Sequence, residues 1–171
     1  MLFFVFVFTI FYIGLDKPNS YIPNESNNKS LATFTSNELF SNEEFVNELR
    51  ADYHDFLKRF NASEPFITDK APLNFRWIGF IKILFPNSKI IHWSRDPKDN
   101  CLSIYKNFFE GGLDFSYNQK ELGTYYNLYL DLMRFWKEKF PNTIYDAQYE
   151  KIIEDPENEI KKMIKFCDLD W

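Results

Sequence analysis

The sequence predicts an α/β fold with a parallel sheet flanked by helices, and three observations carry this prediction. The segment Ser88–Ser94 is rich in Ile and aromatic residues, which is typical of a buried central strand. Asp96 and Pro97 follow it as a helix cap and a first helical residue. A second strand, Thr143–Tyr149, follows a long aromatic helix, so helices alternate with strands as they do in parallel α/β sheets.

Bulk composition indicates one domain with a sizeable core and argues against several classes of protein. The 171 residues are 45% hydrophobic and 20% aromatic, and the net charge is −5. An acidic chain without a basic face is not expected to bind nucleic acid. The two cysteines, Cys101 and Cys167, lie far apart inside predicted helices, so neither a metal site nor a disulfide framework is expected.

The chain divides into three predicted segments, 1–15, 16–40 and 41–171. Met1–Leu15 is almost entirely apolar, but it is shorter than the ~20 residues of a membrane-spanning helix. It also lacks the charged start and the cleavage site of a signal peptide. Three interpretations stay open: a buried strand, a membrane anchor, or a wrongly assigned gene start. Residues 16–40 are polar and rich in Asn and Ser, which predicts a loop or linker.

The third segment is predicted as a series of helices and strands without internal repeats. Ser41 and Glu44 form a capping-box pattern that opens a helix at about 42–60. A short strand at 65–68 follows. Further helices are predicted, and they are bounded by proline-containing turns: 72–85, 97–109, 121–140 and 156–167.

Arg95 is predicted to lie at the carboxyl end of a strand, beside the start of the next helix. Ligands of open α/β sheets bind at this edge, and helix amino ends attract anions. The arginine adds a planar fork of donors that suits phosphate. Ser103 lies about two helical turns further on and carries a hydroxyl that could reach the same anion. The unit is therefore predicted to bind phosphate.

Three blocks of sequence resemble one family. An arginine at a strand end, then Asp-Pro and a helix carrying Ser, is similar to the 3′-phosphate-binding element of sulfotransferases, which use 3′-phosphoadenosine 5′-phosphosulfate (PAPS). Upstream, TDKAPLNFRWIGFIKILFPNSKIIH resembles bacterial sulfotransferases that are often attached to tetratricopeptide repeats, which this chain lacks. Downstream, the segment from LGTYY to DLDW resembles the next block of the same family. The resemblance covers Phe66–Trp171, extends to tyrosine-protein sulfotransferases, and implies a P-loop-like fold.

The resemblance implies roles for four residues. Arg95 and Ser103 would hold the 3′-phosphate of PAPS, Tyr149 would contact the adenosine phosphate, and Lys70 would stabilise the transferring group as the catalytic residue. Each residue has a simpler alternative. Arg95 would form a surface ion pair, and Ser103 would be a helix serine bonded to a carbonyl. Lys70 would be a solvated lysine, and Tyr149 a core aromatic residue. His92 fits a satisfied core histidine better than a catalytic base.

Two parts of the family pattern have no clear counterpart. The glycine-rich loop P-R-S-G-T-T, whose backbone N–H groups cradle the 5′-phosphosulfate, is absent from the sequence. Gly14, Lys17 and Ser20 fall at comparable positions, but Asp16 is unfavourable for an anion and Pro18 removes a donor. The chain also stops at DLDW, where relatives continue, so an incomplete domain is expected.

The leading interpretation is a shortened sulfotransferase domain that keeps the 3′-phosphate half of the PAPS site and uses no metal. Its reaction would move a sulfuryl group from PAPS to a hydroxyl acceptor, whether sugar, peptide or small alcohol. The alternative is a non-catalytic remnant or interaction module, tethered to a membrane through residues 1–15. A cytoplasmic location is favoured over membrane association through that segment.

Overall fold

The computed structural model describes residues 9–14, 42–59, 66–109 and 113–171, with the backbone alone described for residues 9–14. Two 3₁₀ turns, Asn74–Trp77 and Asp114–Tyr117, precede the second and fourth helices. The regular elements in chain order are β1 (Thr9–Gly14), α1 (Glu43–Lys58), β2 (Phe66–Ala71), α2 (Ile78–Leu84), β3 (Lys89–Ser94), α3 (Pro97–Tyr105), α4 (Gln119–Lys139), β4 (Ile144–Gln148), α5 (Tyr149–Glu154) and α6 (Pro156–Phe166).

The four strands form one sheet in the order β2-β1-β3-β4. β3 and β4 are parallel, with Ile90 opposite Ile144 and Ser94 opposite Gln148, so the predicted parallel pairing is confirmed for this pair. β1 runs antiparallel to β3, which makes the sheet mixed and corrects the prediction of a parallel sheet at that position. An apolar run indicates burial of a strand but carries no information about its direction, which is why the sequence did not show this.

The described residues form two compact units. The larger contains residues 9–12, 68–78, 89–109 and 113–171, and the smaller contains 13–14, 42–59, 66–67 and 79–88. In the smaller unit, α1 is capped by Asn42, whose side chain accepts hydrogen bonds from the N–H groups of Glu44 and Phe45. The cap is therefore Asn42 rather than the predicted Ser41. Arg50 on α1 donates to the carbonyl of Leu84 at the end of α2.

Side-chain hydrogen bonds explain several helix boundaries in the larger unit. α4 begins before its predicted start because Asn118 accepts from the N–H groups of Lys120 and Glu121 and caps the helix there. α3 ends at Tyr105, earlier than predicted, and the Asn107 side chain donates to the Ser103 carbonyl of its last turn. Local polar contacts thus set boundaries that apolar spacing alone leaves open.

The core of the larger unit lies on both faces of β3. Ile90 is fully buried and His92 is 4% exposed on one face. On the other face, Ile91 packs with Ala147 of β4 and Cys167, which follows α6. The Ile-rich segment predicted a strand that is buried on both faces, and this prediction is confirmed for β3.

The structure describes residues 9–14 of the two predicted amino-terminal segments, 1–15 and 16–40. β1 supplies a strand at Thr9–Gly14, inside the apolar segment 1–15, while residues 1–8 and the predicted linker 16–40 lie outside the described residues. Within the described ranges, none of the helices combines the length and the apolar character needed to cross a membrane. The boundaries of the predicted segments therefore stay predictions.

Truncating the central strand should destabilise the protein strongly. Ile90→Ala is expected to lower the free energy of unfolding by about 2–5 kcal/mol, because a buried side chain is lost and a cavity remains. The matched control is Ile153→Ala, since Ile153 is 61% exposed on α5 and should change stability by less than about 0.5 kcal/mol. Urea denaturation followed by circular dichroism measures both. Equal effects would contradict the buried position of Ile90.

Candidate functional site

The turn from β3 into α3 is built by capping interactions. Asp96 is the N-cap, and its carboxylate accepts from the N–H groups of Lys98 (2.9 Å) and Asp99 (3.1 Å). Pro97 has no N–H to offer, and the N–H of Asn100 already donates to the Asp96 carbonyl. The helix end therefore has no spare backbone donor in its first turn. Direct hydrogen bonds to an anion here would therefore come from side chains, and the contribution of the helix amino end stays a prediction.

The side chain of Arg95 occupies the space beside this turn. Its guanidinium lies 5.1 Å from the centre of the Tyr149 ring, and one terminal nitrogen lies 3.6 Å from the Asp99 carboxylate. The side chain is 23% exposed, and its Nε is buried without a hydrogen-bond partner among the described residues. A guanidinium that neighbouring side chains hold in place, and that still has an unused donor, is suited to bind an oxyanion.

The register of the sheet brings Arg95 and Tyr149 together. Ser94 and Gln148 are opposite one another on parallel strands, so the residue after each leaves the same edge of the sheet. Tyr149 is half-buried as the first residue of α5. The next residue, Glu150, accepts a hydrogen bond from the Asp96 N–H at 2.9 Å and ties the two turns together.

Ser103 lies on the same face of α3 as Asp99. One turn, about 6 Å along the helix axis, separates the two residues, and Asp99 in turn faces Arg95. The serine is half-buried, and its carbonyl accepts from the Asn107 side chain. Ser103 thus lies one helical turn beyond Asp99, the residue that pairs with Arg95.

Lys70 lies apart from this group. It is exposed on β2, and β1 stands between β2 and β3, so about 9–10 Å of sheet separates the two strands. The Asn74 side chain donates to Asp69 at 3.2 Å and closes the loop that follows the lysine. Of the four predicted site residues, the structure therefore brings Arg95 and Tyr149 into contact, places Ser103 one helical turn beyond Asp99, and leaves Lys70 on a different strand, β2.

A polar network behind the site was not predicted as a unit. His92 is bonded through Nδ1 to Asp146 at 2.5 Å and through Nε2 to the Tyr129 hydroxyl at 2.6 Å. Lys137 of α4 lies 2.7 Å from the other oxygen of Asp146. The prediction that His92 is a satisfied core histidine is confirmed. The sequence signal for its partner was the charged residue Asp146 in the middle of the predicted strand Thr143–Tyr149.

The charges of this network are set by burial and hydrogen bonding. Burial would raise the pKa of Asp146, but the hydrogen bonds from His92 and Lys137 outweigh it and hold that pKa below its usual value. Burial raises the pKa of the Tyr129 hydroxyl well above its usual value, and nearby Tyr126 and Asp146 add to the shift. Tyr129 therefore stays protonated and Asp146 ionised at neutral pH.

The described residues lack the features of a metal site and of a reactive thiol. In the part of the chain that the structure describes, no three His, Cys, Asp or Glu side chains gather closely enough to hold a metal ion. Both cysteines are free thiols, and burial raises the pKa of Cys101 and of Cys167. Neither thiol is thus primed as a nucleophile at neutral pH.

Comparison with known proteins identifies the family. The sequence profile described as "Sulfotransferase family" matches residues 18–171, so the chain belongs to the sulfotransferase family. A protein of Aquifex aeolicus (strain VF5) described as "Uncharacterized protein" is 34% identical over 122 residues, which cover 70% of this chain and 16% of that protein. A Caenorhabditis briggsae protein named "Putative protein-tyrosine sulfotransferase" is 25% identical over 139 residues, covering 81% of this chain and 49% of that protein.

These alignments leave much of both relatives uncovered. The chain spans less than half of the length of each, at 16% and 49%. No solved structure matches the chain. Family membership is therefore shown by sequence, while the activity of this chain is a matter for proposal.

Acid should weaken the fold partly through Asp146. Because its pKa is lower in the folded state than its ordinary value of 3.8, its contribution to stability is complete above that value and is lost as pH falls through the folded pKa. We expect the wild type to lose more stability between pH 5 and pH 2.5 than Asp146→Asn does. Urea denaturation across this range measures the difference.

The control for this prediction is Asp131→Asn. Asp131 forms an exposed ion pair with Arg134 on α4, an arrangement worth at most about 1 kcal/mol. Its acid response should stay close to that of the wild type. If Asp146→Asn and the wild type lose stability in parallel, the His92–Asp146–Lys137 contacts do not contribute in solution.

Proposed function

We propose that this chain binds 3′-phosphoadenosine nucleotides and supplies the 3′-phosphate half of a PAPS site in a sulfotransferase with a P-loop-like fold. Arg95 and Ser103 would hold the 3′-phosphate, and Tyr149 would pack against the arginine and contact the adenosine phosphate. The full reaction of such an enzyme joins the acceptor oxygen to sulfur and breaks the bond between sulfur and the 5′-phosphate. 3′,5′-Diphosphoadenosine (PAP) then leaves.

The observation that carries the proposal is the buried Nε of Arg95, which has no hydrogen-bond partner among the described residues. Ionised donors are costly to bury without a partner, and native structures leave few buried polar groups unpaired. The neighbouring backbone donors are already used by Asp96, so the arginine is the group that a phosphate would meet. Its contact with Tyr149 limits its freedom and supports a fixed phosphate position.

Lys70 is proposed as the residue that neutralises charge on the transferring group. A nucleotide carries its 3′-phosphate and its 5′-phosphosulfate on different sides of the ribose, so one ligand needs cationic groups at two separated positions. Arg95 directly follows β3, and Lys70 is the penultimate residue of β2. Because β1 lies between these two strands, the two cations are separated, which supports this division. The hydroxyl acceptor would approach the Lys70 side.

A second candidate function for these 171 residues is nucleotide binding without sulfuryl transfer. The absence of the glycine-rich loop from the sequence favours it. A sulfuryl transfer needs the 5′-phosphosulfate held in line and its leaving charge stabilised by preorganised donors. The sequence has no P-R-S-G-T-T loop, and the segment Asp16–Ser20, where an altered loop was considered, lies outside the described residues. We therefore propose that this chain alone is a binding module within its family.

PAP should bind more tightly than AMP, since AMP lacks the 3′-phosphate. Arg95→Ala should weaken PAP binding by about 10- to 100-fold, the range for losing a charged hydrogen bond, and leave AMP binding nearly unchanged. Isothermal titration calorimetry measures both ligands. Arg134→Ala is the matched control, because that arginine is exposed and paired within α4. Equal affinities for PAP and AMP in the wild type would overturn the assignment.

The chain as it stands should not transfer sulfuryl groups above background. Loss of one preorganised donor costs about 100- to 1,000-fold in rate, and here a whole loop of donors is missing. The assay is transfer of labelled sulfate from PAPS to a panel of sugars, tyrosine peptides and phenols. Turnover that disappears in Lys70→Ala would refute this expectation and assign the catalytic role to the lysine.

A further inference from the structure

Two adjoining pockets open in the larger unit between the segment after Lys70, helix α3, the turn Asp114–Tyr117 and helix α4. The outer pocket has a volume of about 330 Å³, and Arg76 is in its wall. The inner pocket has a volume of about 40 Å³, and Asn100 is in its wall. The two pockets share five wall residues: Leu73, Phe75, Phe115, Tyr125 and Tyr129.

Asn100 is the unusual polar residue of the inner pocket. It is 2% exposed, and its Oδ1 has no hydrogen-bond donor among the described residues. Its backbone N–H is already bonded to Asp96. Buried side-chain oxygens in native proteins are nearly always paired, so this oxygen is an acceptor that a ligand hydroxyl in the pocket would satisfy. A space of about 40 Å³ holds a group of the size of a hydroxyl or one water.

Aromatic rings form the shared walls of both pockets. Phe115 stacks on Tyr125 with ring centres 3.8 Å apart, and Phe75 meets Tyr129 edge-on at 5.1 Å. His92 holds the Tyr129 hydroxyl from behind at 2.6 Å, so this wall has a fixed position. A flat apolar ring is the ligand part that such a slot accepts best.

Arg76 supplies the charge of the outer pocket. It is an exposed residue of the turn Asn74–Trp77, and no described carboxylate forms an ion pair with it. It also lies close to the Tyr125 hydroxyl. Burial raises the pKa of that hydroxyl, and the charge of Arg76 partly offsets the increase. An anionic group on the ligand would find its partner here.

We propose that the two pockets bind a small amphipathic ring compound, with a hydroxyl donating to Asn100 in the inner pocket and an anionic group facing Arg76 in the outer pocket. The inference rests on the proposed function, because it assigns this compound to the acceptor. Pro72, which lines the inner pocket, follows Lys70 by two positions, so the segment that carries the proposed catalytic lysine also forms part of the pocket wall. Asn100 and Arg76 are then the residues that select the acceptor.

The test measures binding of simple probes by isothermal titration calorimetry, without PAPS. 4-Hydroxyphenylacetate should bind about tenfold more tightly than phenylacetate, which lacks the hydroxyl, and than 4-hydroxybenzyl alcohol, which lacks the charge. N-Acetylglucosamine should bind more weakly than all three. Equal affinity for 4-hydroxyphenylacetate and phenylacetate would mean that water satisfies Asn100 and would overturn the proposal. So would tighter binding of the sugar, or no binding of any probe.

Variants assign each contact to its residue. Asn100→Leu should remove the advantage of the hydroxyl, and Arg76→Gln should remove the advantage of the carboxylate, with about a tenfold loss in each case. Arg134→Gln, outside both pockets, is the matched control. Circular dichroism checks folding, and if Asn100→Leu does not fold, the probe series on the wild type decides.

The same experiment separates this inference from the proposed function. Arg95→Ala should lose PAP and keep 4-hydroxyphenylacetate. A wild type that binds the probe but not PAP would refute the nucleotide site alone. A wild type that binds PAP but shows no preference among the probes would refute the acceptor pocket alone.

Discussion

The imidazole of His92 joins three elements in the interior of the larger unit. From β3 it bonds Asp146 on β4 and Tyr129 on α4, at 2.5 and 2.6 Å. Asp146 is ionised and Tyr129 is protonated, so one ring nitrogen of His92 is bonded to a carboxylate and the other to a hydroxyl. Every polar atom of the ring is thereby used. A slip of β3 against β4 would separate His92 from Asp146, so the network specifies the register as well as stabilising it.

That register determines the geometry of the proposed nucleotide site. With His92 opposite Asp146, Ser94 falls opposite Gln148, and the chain leaves both strands at the same level. Arg95 then meets the Tyr149 ring, and Glu150 meets the backbone of Asp96. The cap leaves the first helical turn without spare N–H groups, and the arginine becomes the available donor. The site thus depends on the pairing of β3 with β4, which the contact between His92 and Asp146 fixes two residues before the strands end.

The sequence predicted the parts of this structure that depend on short segments. The Ile-rich strand, the Asp96 cap, the Pro97 start and the parallel pairing of β3 with β4 all follow from local pattern and were found. The antiparallel direction of β1 was not predicted, because apolar content does not encode direction. The Asn42 cap was missed because Ser41 and Glu44 formed an equally good local pattern one residue away.

The functional residues also divide into those that local sequence patterns predicted and those that they did not. Arg95, Ser103 and Tyr149 were named from motifs, and the contact between Arg95 and Tyr149 follows from one regular strand register. Asn100 and Arg76 were not named, because their significance depends on what surrounds them. An asparagine in a helix is usually exposed, and only the packing of α3 against the aromatic face of α4 makes its side-chain oxygen a buried acceptor. Burial of a polar atom is a property of the assembled walls, and those walls are held in place by Tyr129 on His92. The network that fixes the strand register therefore also fixes one wall of the pocket between α3 and α4.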